Sequence, residues 1–377
     1  MAGVYVHIPF CSAKCYYCDF YSRANIPNNL IDEYAEALCK EIEIRQQYLQ
    51  TKEIDTIYLG GGTPSILTID ILVKIFDKIL SVYSLKKDYE ITIEINPEDC
   101  SKQFFSNLKK HTLVNRISIG AQSFDDNLLK IMNRRNDVQK NIEAINNAID
   151  SSFENISIDL IYGIPEQNIE IWQKDLDIAF SMPIKHISAY CLTIEENTVF
   201  GKWKNAVKIK EIDEDIELKM YNMLIDQAQA NCFEHYEISN FCKTNYQSKH
   251  NSSYWFGDEY LGIGASAHSY NKISRQWNVA NIKQYIEKIK KNEVFFENEQ
   301  LSQRDFFNEY LLTRLRTSKG IEIEYLNLNF ASYYAQIQNY INEFLSEKLL
   351  EQHGTTILLS KQGKFVSDTI IRKLYII

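Results

Sequence analysis

Three cysteines near the start of the chain are spaced in a way that suits a metal centre. Cys11, Cys15 and Cys18 form a C-x3-C-x2-C pattern, so one short loop carries three thiols. A [4Fe-4S] cluster has four irons and usually four cysteine ligands. A loop with three cysteines therefore leaves one iron free to bind another molecule. The spacing predicts an iron–sulfur cluster with one open coordination position.

Two other interpretations of these cysteines stay open. A zinc ion could take the three thiolates together with a distant Cys or His, or the three thiols could be unrelated buried side chains. Zinc sites usually carry paired C-x2-C or His knuckles, and the chain has no second knuckle, so the spacing favours the cluster. The remaining cysteines are scattered, and we expect reduced, mostly buried thiols at Cys39, Cys100, Cys191, Cys232 and Cys242.

The elements that must position the cysteine loop are predicted to be parallel strands. Strand-like and helix-like runs alternate over the first half of the chain, which is typical of βα units in an α/β fold. The predicted strands are Val4–Ile8, Ile54–Leu59, Glu90–Ile95, Arg116–Ala121, Asn155–Ile161 and His186–Leu192. A helix is expected to begin near Pro27 and Asn28, because proline is favoured in the first helical turn.

Glycine and polar residues mark the carboxyl ends of these strands. The cysteine loop follows the first strand, and the glycine-rich turn 60–64 follows the second. The later strand ends carry Glu94, Gln122, Asp159 and Thr193. In a barrel of parallel strands these ends form one mouth, where active sites lie. A single polar residue in a strand is often only paired with nearby backbone, but the common position of this set favours a shared ligand.

The cysteine spacing after a short strand resembles the radical S-adenosylmethionine (SAM) superfamily, and the string from Tyr5 to Phe20 resembles its anaerobic coproporphyrinogen III oxidase family. The resemblance covers nearly the whole chain. It implies a partial (β/α)6 TIM-like barrel, a [4Fe-4S] cluster on the three cysteines, and SAM bound to the fourth iron. It also implies that the SAM pocket is lined by Tyr5, Gly61, Gly62, Thr63, Glu94, Gln122, Arg134 and Asp159. Thr193 departs from the oxidase pattern and is not assigned a SAM contact.

Two departures separate the chain from the oxidase itself. The oxidase has a fourth cysteine two residues beyond the third, where this chain has Phe20, and it has a long extension before the position of Tyr5. Both departures, with the string His250–Trp255, resemble a haem chaperone branch of the family. This branch implies haem as cargo, His250 as its iron ligand, no catalytic residue, and transfer to apo-haemoproteins such as respiratory membrane enzymes. From residue types alone, a histidine beside aromatic residues is more often structural than a haem ligand.

Two alternative functions stay open at this stage. The first is the oxidase reaction, an oxidative decarboxylation by radical SAM chemistry, although the departures predict that this activity is absent. The second is a radical SAM enzyme acting on another small molecule. The motif Gly262–Ala267 mimics a dinucleotide fingerprint, but no acidic residue follows about 20 residues later in a βαβ setting, so we reject a dinucleotide site.

The later part of the chain predicts a smaller domain. A capping signal at Ser302–Asp305, a helix over Phe330–Leu350, a strand at Ile357–Leu359 and a last helix from Lys361 indicate a helical, winged-helix-like unit. We expect a partial barrel over 1–230, an extension near haem and SAM over 231–285, and the C-terminal domain over 286–377. Helical segments over 198–229 are expected to cover the open side of the barrel.

Charge and hydropathy limit which classes of partner and which cellular locations are expected. The chain has 41 Lys and Arg against 50 Asp and Glu, and this net charge of -9 argues against a nucleic-acid partner. The C-terminal unit is therefore expected to pack or dock a protein. No signal-peptide pattern or membrane-length apolar run is present, which predicts a cytoplasmic protein, at most peripheral at the membrane. We also expect an electron donor as a partner. The protein is expected to be a monomer or a dimer.

Overall fold

A computed structural model describes residues 1–377. The strands are β1 Ala2–Ile8, β2 Phe10–Cys11, β3 Arg23–Ala24, β4 Glu53–Gly61, β5 Ser84–Ile95, β6 Arg116–Gln122, β7 Asn155–Tyr162, β8 His186–Cys191, β9 Glu234–Glu237, β10 Asn240–Cys242, β11 Glu259–Ile263, β12 His268–Tyr270, β13 Ser274–Asn278, β14 Phe296–Gln300, β15 Ile321–Glu322, β16 Leu350–His353 and β17 Thr356–Leu359. The helices are α1 Asn28–Ile44, α2 Ile69–Val82, α3 Lys102–His111, α4 Asp126–Ile131, α5 Val138–Asp150, α6 Ile169–Ser181, α7 Val199–Asn205, α8 Glu214–Ala230, α9 Lys249–Trp255, α10 Ile282–Lys291, α11 Gln303–Leu315, α12 Ile323–Ser346, α13 Lys361–Phe365 and α14 Ser367–Leu374.

The central feature is a 12-stranded sheet with the order β14-β13-β12-β11-β1-β4-β5-β6-β7-β8-β10-β9. The six predicted strands are confirmed as neighbours β1, β4, β5, β6, β7 and β8, and every pair among them is parallel. Helices α1 to α6 connect them, so the sheet is covered and the central residues of its strands are mostly buried. The partial (β/α)6 barrel is therefore present.

The sheet continues beyond these six strands at both edges, which the sequence did not predict. β11 pairs with β1 in parallel, and β12, β13 and β14 then follow in antiparallel order. At the other edge β10 and β9 add antiparallel strands to β8. These strands are three to five residues long. Their short length gives too little periodicity to predict from sequence.

Capping residues and apolar periodicity account for several of the helices. α1 begins directly after Pro27, as predicted. α2 is capped by Thr68, whose side chain accepts a hydrogen bond from the Ile71 amide, and its buried stripe faces the sheet through Leu72, Ile75, Phe76 and Ile79. The helical segment 198–229 is confirmed as two helices, α7 and α8. α8 packs on α6, where the Trp172 indole donates to the Met220 carbonyl at 2.9 Å.

Two large hydrophobic cores divide the chain, and a third, of only six residues, lies around α4 and the end of β7. One core of 59 residues extends from Ala2 to Phe295, and a second core of 16 residues extends from Phe307 to Leu374. The second core lies under a three-stranded sheet, β15-β17-β16, and the helices α11, α12 and α14. The three-domain division itself stays a prediction.

Two details of the C-terminal unit differ from the sequence prediction. α12 begins at Ile323 and ends at Ser346, with a kink at Phe330, so Leu350 begins β16 instead of ending a helix. Lys348 has a φ of 60°, a left-handed conformation that stops the helix. The capping box at Ser302 and Asp305 is confirmed.

None of the helices combines the length and apolar composition needed to cross a bilayer.

Candidate cofactor pocket and adjoining cleft

The cysteine loop is attached to the glycine-rich turn by backbone hydrogen bonds. The Gly62 amide donates to the Ile8 carbonyl at 2.8 Å, and the Thr63 amide donates to the Phe10 carbonyl at 2.7 Å. A β-carbon on Gly62 would lie 2.6 Å from the Phe10 carbonyl oxygen. Gly61 has a φ of +106°, and a β-carbon there would overlap the ring of His7. The glycines are therefore needed for close contact with the segment that leads into Cys11.

A cavity of about 530 Å³ lies beyond the carboxyl ends of β4 to β8. The three cysteines and seven of the eight predicted SAM-pocket residues line it: Cys11, Cys15, Cys18, Gly61, Gly62, Thr63, Glu94, Gln122, Arg134 and Asp159. Thr193, which was not assigned a contact, also lines this cavity. We call this cavity the cofactor pocket. Of the other cysteines, which were expected to be mostly buried, Cys39, Cys100 and Cys242 are buried and Cys191 and Cys232 are exposed.

The surroundings of the three thiols fit a cluster. Thr63 Oγ1 donates to Cys11 Sγ at 3.6 Å, and Arg134 Nη1 donates to Cys15 Sγ at 3.4 Å, which would stabilise thiolates. Burial raises the pKa of Cys18 to about 11, so the metal-free thiol is protonated at neutral pH. The side chains are not gathered around a single ion position. A four-iron cluster does not need such an arrangement, since each cysteine binds a different iron.

Two half-buried carboxyl groups face the cofactor pocket from neighbouring parts of the sheet. Glu94 on β5 accepts hydrogen bonds from the Tyr58 hydroxyl at 2.6 Å and the Gly61 amide at 3.0 Å. Burial raises the pKa of Glu94 to about 7. Asp159 on β7 accepts a hydrogen bond from Ser118 Oγ at 3.2 Å, and burial raises its pKa as well. A cationic ligand in the pocket would favour the charged form of both groups.

Arg134 and Gln122 shape the side of the pocket nearest β6. Arg134 Nη2 donates to the Gly120 carbonyl at 2.7 Å and to Asn96 Oδ1 at 3.1 Å, so the guanidinium joins two strand ends to the cysteine loop. Gln122 ends β6 with a φ of 69°, where the register with β7 is irregular. This left-handed backbone turns the chain out of the sheet and directs it around the pocket.

Two predicted site residues, Tyr5 and His250, do not line the cofactor pocket. Tyr5 lines a second, larger cavity, and its ring stacks with Tyr58 and His250 at centroid distances of 6.1 and 6.3 Å. His250 is completely buried behind these rings and lines neither cavity. Its Nδ1 is 2.7 Å from Thr56 Oγ1 and its Nε2 is 2.8 Å from the Tyr254 hydroxyl. Burial lowers the pKa of His250 to about 3. Iron ligation by His250 stays a prediction, and it would require one of these contacts to break.

The second cavity has a volume of about 1180 Å³ and lies between the β11–β13 edge of the barrel and helices α11 and α12. We call it the cleft. Its walls are rich in aromatic side chains, including Tyr254, Trp255, Tyr260, Tyr270, Tyr310 and Phe330. Phe20 lines both the cleft and the cofactor pocket and is 70% exposed. Of the string His250–Trp255, which resembles a haem-chaperone motif, Tyr254 and Trp255 line the cleft and the histidine does not.

Comparison with known proteins identifies the family. Residues 5–179 match the radical SAM superfamily. The chain is 32% identical over 372 residues to the haem chaperone HemW of Lactococcus lactis. This match covers 98% of this chain and 96% of the relative. It is 31% identical over 377 residues to HemW of Bacillus subtilis, with 98% of both chains covered. The chain belongs to the HemW family of radical SAM proteins. The resemblance expected from the cysteine loop and from Phe20 is thereby confirmed.

The fold of this HemW-family chain also matches a solved structure. Coproporphyrinogen III oxidase (HemN) from Escherichia coli, a radical SAM enzyme, superposes with a TM-score of 0.86 at 21% identity. The match covers 99% of this chain and 89% of the oxidase. It confirms the predicted fold class, and at this identity it concerns the fold alone.

Proposed function

We propose that this protein is a haem chaperone, which binds haem and transfers it to apo-haemoproteins. The observation that carries the proposal is the aromatic cleft beside the cofactor pocket. Its volume of about 1180 Å³ exceeds the roughly 300–1,000 Å³ of ordinary small-molecule sites, and aromatic walls suit the flat face of a porphyrin. Full-length similarity to proteins named haem chaperone HemW supports the same function.

We further propose that the cofactor pocket holds a [4Fe-4S] cluster and SAM. Cys11, Cys15 and Cys18 would bind three irons, and the pocket beside them has room for SAM at the fourth. Bound together, cluster and SAM supply one-electron chemistry. In the protein itself, Thr63 and Arg134 would stabilise the thiolates, and Glu94 and Asp159 would favour a cationic ligand. The remaining predicted contacts, from Gly61, Gly62 and Gln122, belong to the same proposal.

Phe20 favours the chaperone over the oxidase as the function of this chain. The oxidase family has a cysteine at this position, whereas here an exposed phenyl ring lies between the cofactor pocket and the cleft. A phenyl ring offers a contact for an apolar ligand and no metal ligand. The oxidase reaction stays the second candidate because the string from Tyr5 to Phe20 resembles the oxidase family.

The partners and the location follow from this function. The proposed acceptors are apo-haemoproteins, in particular respiratory enzymes of the cytoplasmic membrane, and the cluster would require an electron donor. A cytoplasmic protein that associates peripherally with the membrane would reach such acceptors, and we propose a monomer or dimer. The net charge of -9 gives no support to a nucleic-acid partner.

A pair of anaerobic assays tests the proposal. Cluster-reconstituted protein loaded with haem is mixed with an apo-haemoprotein, and the absorbance of the reconstituted acceptor is followed. The same preparation is incubated with coproporphyrinogen III, SAM and a reductant. We expect haem transfer and no protoporphyrinogen. Catalytic formation of protoporphyrinogen, without haem transfer, would overturn the proposal in favour of the oxidase.

A further inference from the structure

One histidine in the cleft has both ring nitrogens free. The chain has seven histidines, and five have a ring nitrogen in a hydrogen bond: His7, His186, His235, His250 and His353. His111 ends α3 and lines neither cavity. His268 is exposed and lines the cleft. It is the only histidine that combines access to the cleft with unpaired nitrogens.

A rigid hairpin positions His268. It is the first residue of β12 and lies opposite Trp277 on β13, whose ring stacks on the imidazole at a centroid distance of 6.3 Å. The preceding turn uses Gly264 with a φ of +105°, where a β-carbon would lie 2.7 Å from the His7 carbonyl oxygen. The motif Gly262–Ala267, which mimics a dinucleotide fingerprint, therefore forms the turn that directs His268 toward the cleft.

A buried ion pair fixes the same hairpin to α1. Arg45 Nη1 lies 3.2 Å from Glu41 Oε1 and donates to the Gly262 carbonyl at 3.1 Å. Arg45 Nη2 donates to Ser269 Oγ at 3.1 Å, next to His268 in the chain. Glu41 Oε2 accepts from the Gly264 amide at 2.7 Å. Arg45 and Glu41 each bond to the backbone of the turn, so the imidazole is held on a well-defined backbone.

The cleft also carries cations suited to haem propionates. Arg314 lies over the ring of Phe256 at 4.8 Å and has no carboxylate partner, and neither does Lys319. Arg275, by contrast, is paired with Glu309 at 2.6 Å. The indole nitrogen of Trp255 is buried without a hydrogen-bond partner on the same wall. Unpaired cations and an unpaired donor in an aromatic cleft indicate an anionic, aromatic ligand.

We propose that the cleft is the haem site and that His268 is the ligand of the haem iron, with Arg314 and Lys319 facing the propionates. This inference rests on the proposed haem-chaperone function and names the site that performs it. His250 is then a positioning residue, because its hydrogen bond to the Tyr254 hydroxyl holds one of the aromatic walls.

The ionisation of the cleft residues agrees with this assignment. Partial desolvation of the ring within the cleft and the nearby Arg275 lower the pKa of His268, which favours the neutral imidazole that iron ligation requires. Tyrosine is the other haem ligand type in the cleft. Burial raises the pKa of both Tyr254 and Tyr260, which disfavours the phenolate form.

Haem titration of full-length variants, followed by the Soret band and by resonance Raman spectroscopy of the iron–histidine bond, tests the inference. We expect His268→Ala to lose the histidine signature and to weaken haem binding at least about tenfold. Added imidazole should restore the signature. His268→Gln provides a second variant of similar size, and His111→Ala should behave as wild type. His250→Gln should weaken binding but leave the spectrum of the saturated complex unchanged.

The outcomes separate this inference from the proposed function. If the wild-type protein shows no saturable haem binding, the proposed function fails and the inference fails with it. If the wild type binds haem and His268→Ala binds with the same affinity and spectrum, only the inference is overturned. A loss of the histidine signature in His250→Gln, with none in His268→Ala, would assign the iron to His250 instead.

Discussion

The cofactor pocket and the cleft are neighbours but are built in opposite ways. The pocket carries thiol, carboxyl and guanidinium side chains and is formed by the ends of successive parallel strands, from Cys11 on the β1 loop to Thr193 after β8. The cleft is aromatic and combines β1, α9, the β11–β13 hairpins, α11 and α12, which are far apart in sequence. Phe20 touches both. The difference shows how a radical SAM barrel can keep its cofactor chemistry while an added edge and a second core create a separate binding site.

Substitution of the three cysteines should have the largest effect, and it should affect the cofactor pocket but not the cleft. Cys18→Ala, Cys15→Ala or Cys11→Ala should reduce the iron and sulfide content from about four of each per chain to nearly none, because the remaining thiols cannot hold a cluster. Haem titration of the same variants should stay close to wild type, since none of the three lines the cleft. Cys232→Ser, at an exposed cysteine, is the control. A variant of the triplet with full iron content would refute the cluster assignment.

A second prediction concerns the turn that supports the cysteine loop. Gly62→Ala should lower the free energy of unfolding by about 1–3 kcal/mol and reduce the iron content, because the new β-carbon overlaps the backbone of Ile8 and Phe10. Urea unfolding and iron analysis measure the two effects. Gly354→Ala has open space for its β-carbon but a φ of +62°, so we expect only about 1 kcal/mol of strain and normal iron content. Equal iron content in both variants would contradict the proposed role of Gly62.

A third prediction uses the ionisation of Glu94. Its pKa is raised from 4.5 to about 7 in the folded protein. The stabilisation from the bound proton is complete below pH 4.5 and is lost as the pH rises through 7. Glu94→Gln in the metal-free protein should therefore flatten the fall in unfolding free energy over this window, on the order of 1–3 kcal/mol. Asp175, with a pKa of about 7, still titrates in the variant and retains part of the slope. An unchanged slope would show that Glu94 is charged at neutral pH.

The smallest expected effect is that of substituting Phe20, which lies between the cofactor pocket and the cleft. Phe20 is 70% exposed, so Phe20→Ala should change the free energy of unfolding by no more than about 0.5 kcal/mol. Loss of an aromatic contact with haem should weaken haem binding about two- to tenfold, which corresponds to about 0.5–1.5 kcal/mol. Isothermal titration with haem measures the change, and the iron content serves as the internal control. A large loss of iron would mean that Phe20 supports the cluster rather than the cargo.

The sequence predicted the pocket better than the cleft for a topological reason. Consecutive parallel strands bring their carboxyl ends to one edge of a sheet, so the sequence alone groups Glu94, Gln122 and Asp159. His268 gave no such signal. Its strand has three residues, and it joins the sheet through β11, which pairs with β1 more than 250 residues earlier. The ring contacts that bury His250 also depend on Thr56 and Tyr58 from another strand, and spacing along the chain does not reveal them.

In the proposed function, one chain carries one haem in the cleft beside its cofactor pocket. The most direct measurement is a Soret titration of the wild-type, cluster-reconstituted protein with haem under anaerobic conditions, followed by gel filtration and haem quantification. We expect saturation at about one haem per chain, with the haem remaining bound through the column. A titration that never saturates, with no haem in the protein fraction, would contradict it.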